Sequence, residues 1–325
     1  MSIRRVLILL LVKRRVWAIL LRKERRLSIP LIPAKTIISG YSDHGWFGAN
    51  YNMNIYKGCC HGCIYCDSRS DCYRVDHFDT VRAKENALFV IRRDLEAKKK
   101  SGVIMTGAMS DPYNPHEQRE ELTRDALELI HRFHFGIAVL TKSALVCRDT
   151  DMLLKIKAHS PVFVNMTVTT ADDTLCAKIE RFVNPSSARF EAVRRLSDAG
   201  VMCGVLLMPT LLFINDDEQN IRGIVRLAAD AGAKWVYHGE DGGFGVTLRQ
   251  NQRDYFYDRL DALFPGTKEK YIRAFGDSYA CFSPDSAALH RAFTEECDKH
   301  GLLYKMNDIV KLTREGYEQQ QMSLF

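Results

Sequence analysis

The sequence predicts an α/β fold in which strand and helix alternate along the chain. Two observations predict it: six short apolar runs follow one another from Tyr51 onward, and a stretch with helical periodicity follows most of them. Repeated units of this kind form a parallel sheet with right-handed crossover connections. The predicted strands are Tyr51–Tyr56, Val103–Thr106, Gly136–Leu140, Val162–Thr169, Val201–Met208 and Lys234–Tyr237.

Helices are predicted between these strands and after the last one. In residues 81–100, Leu88, Ile91 and Leu95 share one face, and three lysines end the segment, as suits a helix C-terminus. A Pro-Ser-Ser sequence caps the helix predicted at residues 186–199. The other predicted helices span residues 117–134, 149–158 and 218–231, and the chain from residue 251 onward is predicted to be helical.

The composition is that of an ordinary globular protein, with 46% apolar and 26% charged residues in a chain of 325. Residues 1–26 carry nine Lys or Arg and one Glu, a net charge of +8. Because the formal net charge of the whole chain is +6, the remaining residues carry −2. Global charge therefore gives no support for nucleic-acid binding, and any basic groove must be local.

Three regions are predicted from this composition. Residues 1–30 are a basic and apolar N-terminal extension outside the fold, with an amphipathic surface anchor as the alternative. Residues 31–250 form the strand–helix domain, and residues 251–325 form a helical C-terminal region with a flexible tail. The apolar runs near the N-terminus are shorter than the roughly 20 residues that cross a bilayer, so no membrane span is predicted. Ten cysteines without a secretory signal predict a reducing, cytoplasmic setting.

Three cysteines at a fixed spacing dominate the chemistry of the chain. Cys59, Cys63 and Cys66 follow Gly58 within one short loop. A core position has no use for three thiols in eight residues, whereas thiolates held together suit a shared soft metal centre. A structural zinc site would close its shell with four ligands. An iron–sulfur cluster held by three cysteines keeps one iron open for a further ligand.

The spacing Cys-x3-Cys-x2-Cys, with Tyr65 before the last cysteine, resembles that of the radical S-adenosylmethionine (SAM) superfamily. The string Gly58–Arg69 is similar to the branch related to spore photoproduct lyase. The resemblance implies a partial (β/α)6 barrel with a helical C-terminal extension. It also implies a [4Fe–4S] cluster on Cys59, Cys63 and Cys66, SAM on the open iron, and an electron donor such as flavodoxin or ferredoxin. SAM cleavage would give a 5′-deoxyadenosyl radical that abstracts a hydrogen from the substrate.

In barrels of parallel strands the site lies at the C-terminal strand ends. After the second strand, the resemblance implies that Thr106, Gly107 and Ser110 contact the amino group of SAM; the alternative is a plain Asp-Pro turn. After the third strand, Lys142 would pair with the SAM carboxylate, or it is a solvated loop residue. Tyr65 is also assigned to cofactor binding.

Two further groups are candidates for SAM binding. Asn165, Thr167 and Thr169 alternate along the fourth strand, where an inward polar face would meet ribose hydroxyls; the alternative is that the threonines are ordinary strand formers. Arg189 is similar to an arginine near the same helix start in the related lyases. It would bind the SAM carboxylate or form an ion pair within the protein.

The branch resemblance implies a thymine photoproduct in DNA as the substrate. In spore photoproduct lyase, a cysteine two positions before the Ser-Asp of the second strand returns a hydrogen to the product radical, and Ala108 occupies that place here. Cys60, Cys72 and Cys147 are the candidate replacements. One alternative is a radical SAM enzyme that modifies a peptide or small molecule, which the charge of −2 favours. Another is a non-catalytic zinc or cluster-binding interaction protein.

The segment Gln321–Phe325 resembles the peptide with which bacterial repair and replication proteins bind the β sliding clamp. Leu324 and Phe325 would act as adjacent apolar anchors in a pocket of the clamp. The alternative is that this segment folds back and buries both side chains on the barrel.

Overall fold

Parallel strands organise the fold, in a computed structural model that describes residues 27–41, 46–239 and 244–317. Residues 1–26 of the predicted extension and the segment Gln321–Phe325 fall outside the described residues. Residues 27–30 were also predicted to lie outside the fold, but Ile29 is buried in the core and the Pro30 carbonyl accepts a hydrogen bond from the Ala83 amide. The strands are β1 Leu31–Ile32, β2 Ile38–Gly40, β3 Tyr51–Met53, β4 Tyr56–Lys57, β5 Arg82–Lys84, β6 Val103–Thr106, β7 Gly136–Thr141, β8 Val162–Thr167, β9 Met202–Leu206, β10 Trp235–Tyr237, β11 Gly245–Thr247 and β12 Ala280–Phe282.

The main sheet has the order β10-β9-β8-β7-β6-β3-β2 within the described residues. The strands from β3 to β10 in this sheet lie in chain order and pair parallel, whereas β2 pairs antiparallel to β3. The predicted set of six parallel strands is therefore confirmed, although the first one ends at Met53 and Tyr56 belongs to β4 in a separate three-stranded sheet. Their carboxyl ends meet at one edge, where the loops that follow them converge.

Helices connect the parallel strands and cover their outer face. The helices are α1 Ala87–Glu96, α2 Glu117–Glu120, α3 Leu122–Arg132, α4 Thr150–Lys157, α5 Asp173–Ile179, α6 Ser186–Asp198, α7 Glu218–Asp230, α8 Gln252–Leu263, α9 Thr267–Phe275, α10 Ser286–His300 and α11 Met306–Arg314. Val164 and Met166 of β8 point into the outer core with apolar residues of these helices, while Phe163 points inward. In the part of the chain that the structure describes, no helix has the length and apolar character to traverse a bilayer.

Two predicted helices are wrong in extent. The segment at 81–100 begins with a strand, because β5 pairs with β1 and β4 in a three-stranded sheet, and the helix starts only after Asn86, whose φ is +52°. The segment at 117–134 breaks at Glu121, whose φ is +51°. The break lets the buried Glu117 carboxylate accept a hydrogen bond from the Thr123 amide at 3.1 Å.

The C-terminal residues close the barrel from two sides. Met306 and Ile309 of α11 pack with Phe47 against the inward side chains of the strands, including Phe163 and Trp235. The helices α8 and α9, with the antiparallel pair β11–β12, pack on the cysteine loop instead. The prediction of a purely helical region after residue 251 is wrong at β12. This strand pairs with β11, which lies just before α8 in the chain.

Candidate functional site

The cysteine loop begins at a backbone turn that only glycine fits. Gly58 follows β4 with φ at +81°, and a Cβ there would lie 2.4 Å from the carbonyl oxygen of Thr80. The Cys59 amide then donates a hydrogen bond to the Phe78 carbonyl at 2.8 Å. The loop is therefore anchored at its first cysteine by backbone contacts.

One cavity of about 360 Å³ lies at the carboxyl ends of β6, β7 and β8, and the cysteine loop forms part of its wall. Tyr41, Trp46 and Met208 also line this cavity, although sequence reasoning did not assign them to the site. Their apolar surfaces lie outside the motif and gave no local signal. The predicted residues that line it are Cys59, Cys63, Tyr65, Cys66, Gly107, Ser110, Lys142 and Thr167.

Other predicted residues lie behind the cavity wall. Thr106 and Thr169 are buried, and the Thr169 hydroxyl has no hydrogen-bond partner among the described residues. Arg189 is completely buried and donates to the Thr167 carbonyl at 2.8 Å while it pairs with Glu180. On the inward polar face predicted for β8, Thr167 lies at the cavity and Asn165 is buried below it. The Asn165 Oδ1 accepts a hydrogen bond from Trp235 Nε1 at 2.8 Å.

The candidate hydrogen-donor thiols are not part of the cavity wall. Cys60 and Cys147 are half-buried against the outer core, and Cys72 is exposed in a neighbouring groove. Burial, together with the adjacent Cys59, raises the pKa of Cys60 to about 11. Ala108 does line the cavity, at the position where the sequence resemblance implies a hydrogen-donating cysteine.

A sequence model of the radical SAM superfamily matches residues 53–222, slightly more than half of the chain. The chain belongs to the radical SAM superfamily. It is therefore an enzyme of that superfamily, with a [4Fe–4S] cluster and SAM as its cofactors.

Relatives of this radical SAM enzyme match it over part of their length. An uncharacterized protein of Mycobacterium tuberculosis is 27% identical over 228 residues, covering 68% of this chain and 66% of that protein. An uncharacterized protein of Methanocaldococcus jannaschii is 32% identical over 174 residues, covering 53% and 64%. The chain thus spans about two thirds of the length of these curated relatives.

Solved structures match the fold of the radical SAM enzyme more completely. Spore photoproduct lyase complexed with dinucleoside spore photoproduct has a TM-score of 0.61 at 12% identity, covering 85% of this chain and 81% of that chain. The match at this low identity establishes a shared fold, which includes the partial barrel that the sequence resemblance implied.

Three thiols of the radical SAM enzyme lie around one cavity. Cys59, Cys63 and Cys66 are free thiols that line one cavity. Cysteine thiolates are the ligands of a [4Fe–4S] cluster, so the chemistry of these three residues fits that group.

His61 and Asp111 support the cysteine loop from inside. His61 is buried, and its Nδ1 lies 3.6 Å from an Asp111 carboxylate oxygen. Asp111 accepts hydrogen bonds from the Thr141 hydroxyl at 2.7 Å and the Lys142 amide at 2.8 Å, which joins the loop to the ends of β6 and β7. Burial lowers the pKa of His61, but Asp111 and Cys59 outweigh it, so the pKa lies above its ordinary value. Sequence reasoning did not select Asp111, which it named only in the alternative of a plain Asp-Pro turn.

Glu180 supports the loop from the other side. It is buried, accepts a hydrogen bond from the Tyr65 hydroxyl, and forms an ion pair with Arg189. Burial raises the pKa of the Glu180 carboxyl, but Arg189 and Lys142 outweigh it, so the pKa is lower than usual. Burial lowers the pKa of Lys142, yet Cys63 and Glu180 more than offset that effect, so the pKa lies above its ordinary value, and the side chain lines the cavity.

Proposed function

We propose that the chain abstracts a hydrogen atom from a nucleic-acid substrate, with a thymine photoproduct in DNA as the leading candidate. One observation carries this proposal: the fold matches spore photoproduct lyase, solved with a dinucleoside spore photoproduct, over 85% of the chain. That match extends well beyond residues 53–222, which the superfamily model covers.

When bound, the cluster and SAM supply a 5′-deoxyadenosyl radical after one electron from a donor such as flavodoxin or ferredoxin. The chain's own residues hold and orient these groups. We propose that Cys59, Cys63 and Cys66 hold the cluster, and that Lys142 pairs with the SAM carboxylate. The remaining SAM contacts are proposed for Tyr65, Gly107, Ser110 and Thr167, which line the cavity. Thr106 and Thr169 are buried behind its wall and are withdrawn as direct contacts.

A groove of about 850 Å³ beside the cysteine loop supports a nucleic-acid partner. The guanidinium of Arg249 lies over the rings of Tyr73, at 5.7 Å, and Tyr279, at 5.0 Å. Arg74 and Arg253 line the same groove. Arginine side chains interleaved with aromatic rings bind single strands by stacking on bases and by attracting phosphates. The groove is not basic as a whole, since three aspartates line it beside the three arginines, so its support for nucleic acid comes from the arginine and aromatic side chains.

A peptide or small-molecule substrate is the second candidate. Three carboxylates share the groove with the arginines, from Asp71, Asp254 and Asp277, and they weaken its attraction for phosphates. The non-catalytic zinc or cluster-binding alternative is disfavoured, since the chain belongs to a superfamily of enzymes.

A substrate assay tests the proposal. Reconstituted, reduced enzyme is incubated anaerobically with SAM and a thymidine dinucleotide that contains the spore photoproduct, and thymidine dinucleotide release is followed by chromatography. Release that the Cys63→Ala variant lacks is the expected result. Release of 5′-deoxyadenosine with an unchanged photoproduct, at saturating substrate, would refute the photoproduct and favour the second candidate.

We also propose that Gln321–Phe325, outside the described residues, binds the β sliding clamp. The proposal depends on the sequence of this segment alone. Clamp affinity is measured for the full chain and for a chain that lacks residues 321–325. A loss of at least tenfold is expected, and unchanged affinity would end the idea. Scrambling the same five residues controls for length.

A further inference from the structure

Glu180 lies opposite the middle cysteine of the cluster loop. It follows α5, and its backbone forms an antiparallel bridge with Cys63. On either side of this bridge, the Ile64 amide donates to the Ile179 carbonyl at 3.0 Å and the Phe182 amide donates to the His61 carbonyl at 3.0 Å. The segment around Glu180 therefore holds the cysteine loop by its backbone, independently of any side chain.

The side chain of Glu180 adds a second connection, which is fully buried. One carboxylate oxygen accepts a hydrogen bond from the Tyr65 hydroxyl, and the other pairs with Arg189. Tyr65 precedes the third cysteine and its ring lines the cavity. The Glu180 carboxylate binds the Tyr65 hydroxyl and the Arg189 guanidinium at the same time. If either side chain moved away, a buried polar group would lose its hydrogen-bond partner, so the three groups hold one another in place.

Arg189 is fully occupied by protein groups. Its Nε donates to the Asn184 carbonyl at 2.7 Å and its Nη1 to the Thr167 carbonyl at 2.8 Å, while Nη2 faces Glu180. It has no exposed surface. Of the two cations that the sequence assigned to the SAM carboxylate, Arg189 is therefore unavailable, and Lys142 is at the cavity.

Lys142 is linked to the same group. Its Nζ lies 5.7 Å from the centroid of the Tyr65 ring, whose hydroxyl is bound to Glu180. Its backbone amide is fixed by Asp111 at 2.8 Å. The Tyr65 ring therefore forms the surface against which the Lys142 side chain rests, and any rotation of this ring would change where the ammonium sits.

We propose that Glu180 is a positioning residue for SAM: it fixes the Tyr65 ring, keeps Arg189 out of the cavity, and so leaves Lys142 as the cation that meets the SAM carboxylate. This role goes beyond holding the fold, because the neighbouring backbone bridge already attaches the loop. It rests on the superfamily assignment and is independent of the identity of the substrate.

The test measures SAM binding to the reduced, reconstituted enzyme by the change that SAM causes in the electron paramagnetic resonance spectrum of the cluster. The Glu180→Gln variant is expected to bind SAM about tenfold more weakly, a difference of about 1.4 kcal/mol, with iron content unchanged. The Tyr65→Phe variant keeps both buried charges and is expected to show a similar loss. The double variant should lose less than the sum of the two, because both changes break one connection.

The matched control is Glu191→Gln, since Glu191 is exposed and pairs only loosely with Arg194 at 3.3 Å. It should bind SAM as the unaltered enzyme does. If Glu180→Gln alone does not fold, Glu180→Gln with Arg189→Gln removes both buried charges and serves in its place. The proposal is overturned if Glu180→Gln and Tyr65→Phe lower only the melting temperature or the iron content, while the SAM affinity of the loaded protein stays within twofold.

Discussion

The strand end at Gly107 is the place where a single methyl group should do most damage to the cavity. Gly107 has a φ of +99°, and a Cβ there would lie 1.9 Å from the Leu140 carbonyl oxygen and 2.8 Å from its carbonyl carbon. Both contacts are with the backbone of β7, which cannot rotate away. The Gly107→Ala variant must therefore move β6 and β7 apart at the point where both contribute to the cavity wall.

The magnitude follows from two costs. A non-glycine residue held in the left-handed region costs about 1–3 kcal/mol, and overpacking against fixed atoms costs about 1–3 kcal/mol more. Gly266 is a matched control, since its φ is +81° and a Cβ there would meet nothing within 4 Å. We expect Gly107→Ala to lower the free energy of unfolding by about 2–6 kcal/mol. Gly266→Ala should lower it only by the cost of the left-handed backbone, about 1–3 kcal/mol.

Urea unfolding of both variants, followed by far-ultraviolet circular dichroism under anaerobic conditions and extrapolated to water, measures the two free energies. The difference between the losses in the two variants is the cost of the steric overlap between the added methyl group and β7. Equal losses in the two variants would refute the close approach of β6 and β7 and, with it, the described shape of the cavity wall.

Three more predictions concern other parts of the chain. Burial and two neighbouring histidines lower the pKa of His159 to about 4, below its value in the unfolded chain. The neutral ring therefore contributes its full stability above about pH 6.5, and this contribution is lost as the pH falls through about 4. Urea midpoints of His159→Asn should depend less on pH across that window, and an unchanged slope would contradict this. Trp235→Phe removes the 2.8 Å bond to Asn165 and should cost about 1–3 kcal/mol by the same assay; a cost below about 0.5 kcal/mol would show that the bond is dispensable. Lys142→Met should raise the KM for SAM about tenfold or more, because a charge-assisted hydrogen bond to SAM is lost. The control Lys155→Met changes an exposed lysine and should leave this KM unchanged. If both variants have the same KM for SAM, Lys142 is not part of the site.

The parallel sheet could be predicted from the sequence because each of its strands is a short apolar run bounded by turn residues. Residues 82–84 were assigned to a helix because their strand character depends on pairing with β1, about fifty residues earlier. The same limit applies to β12, which is a strand only because β11 pairs with it. Local periodicity carries no information about such partners.

The cluster motif could be predicted because its three thiols are close together in the sequence. The groups that support it could not, since Asp111 and Glu180 are single acidic residues in connecting segments, 45 or more positions beyond the last cysteine. Their importance comes from burial against His61 and Tyr65, which the fold alone creates. An isolated acidic residue is usually solvated, so sequence gave no reason to select either one.

The most direct test of the central claim is the metal content and SAM chemistry of anaerobically purified, reconstituted protein. Iron and sulfide per chain are measured first, and 5′-deoxyadenosine release from SAM under a strong reductant is measured next. The structure predicts about four irons per chain and slow release of 5′-deoxyadenosine, both lost in Cys63→Ala and both kept in Cys72→Ala, whose thiol is exposed outside the cavity. Bound zinc without SAM cleavage would contradict the account and make the cysteine loop a structural element.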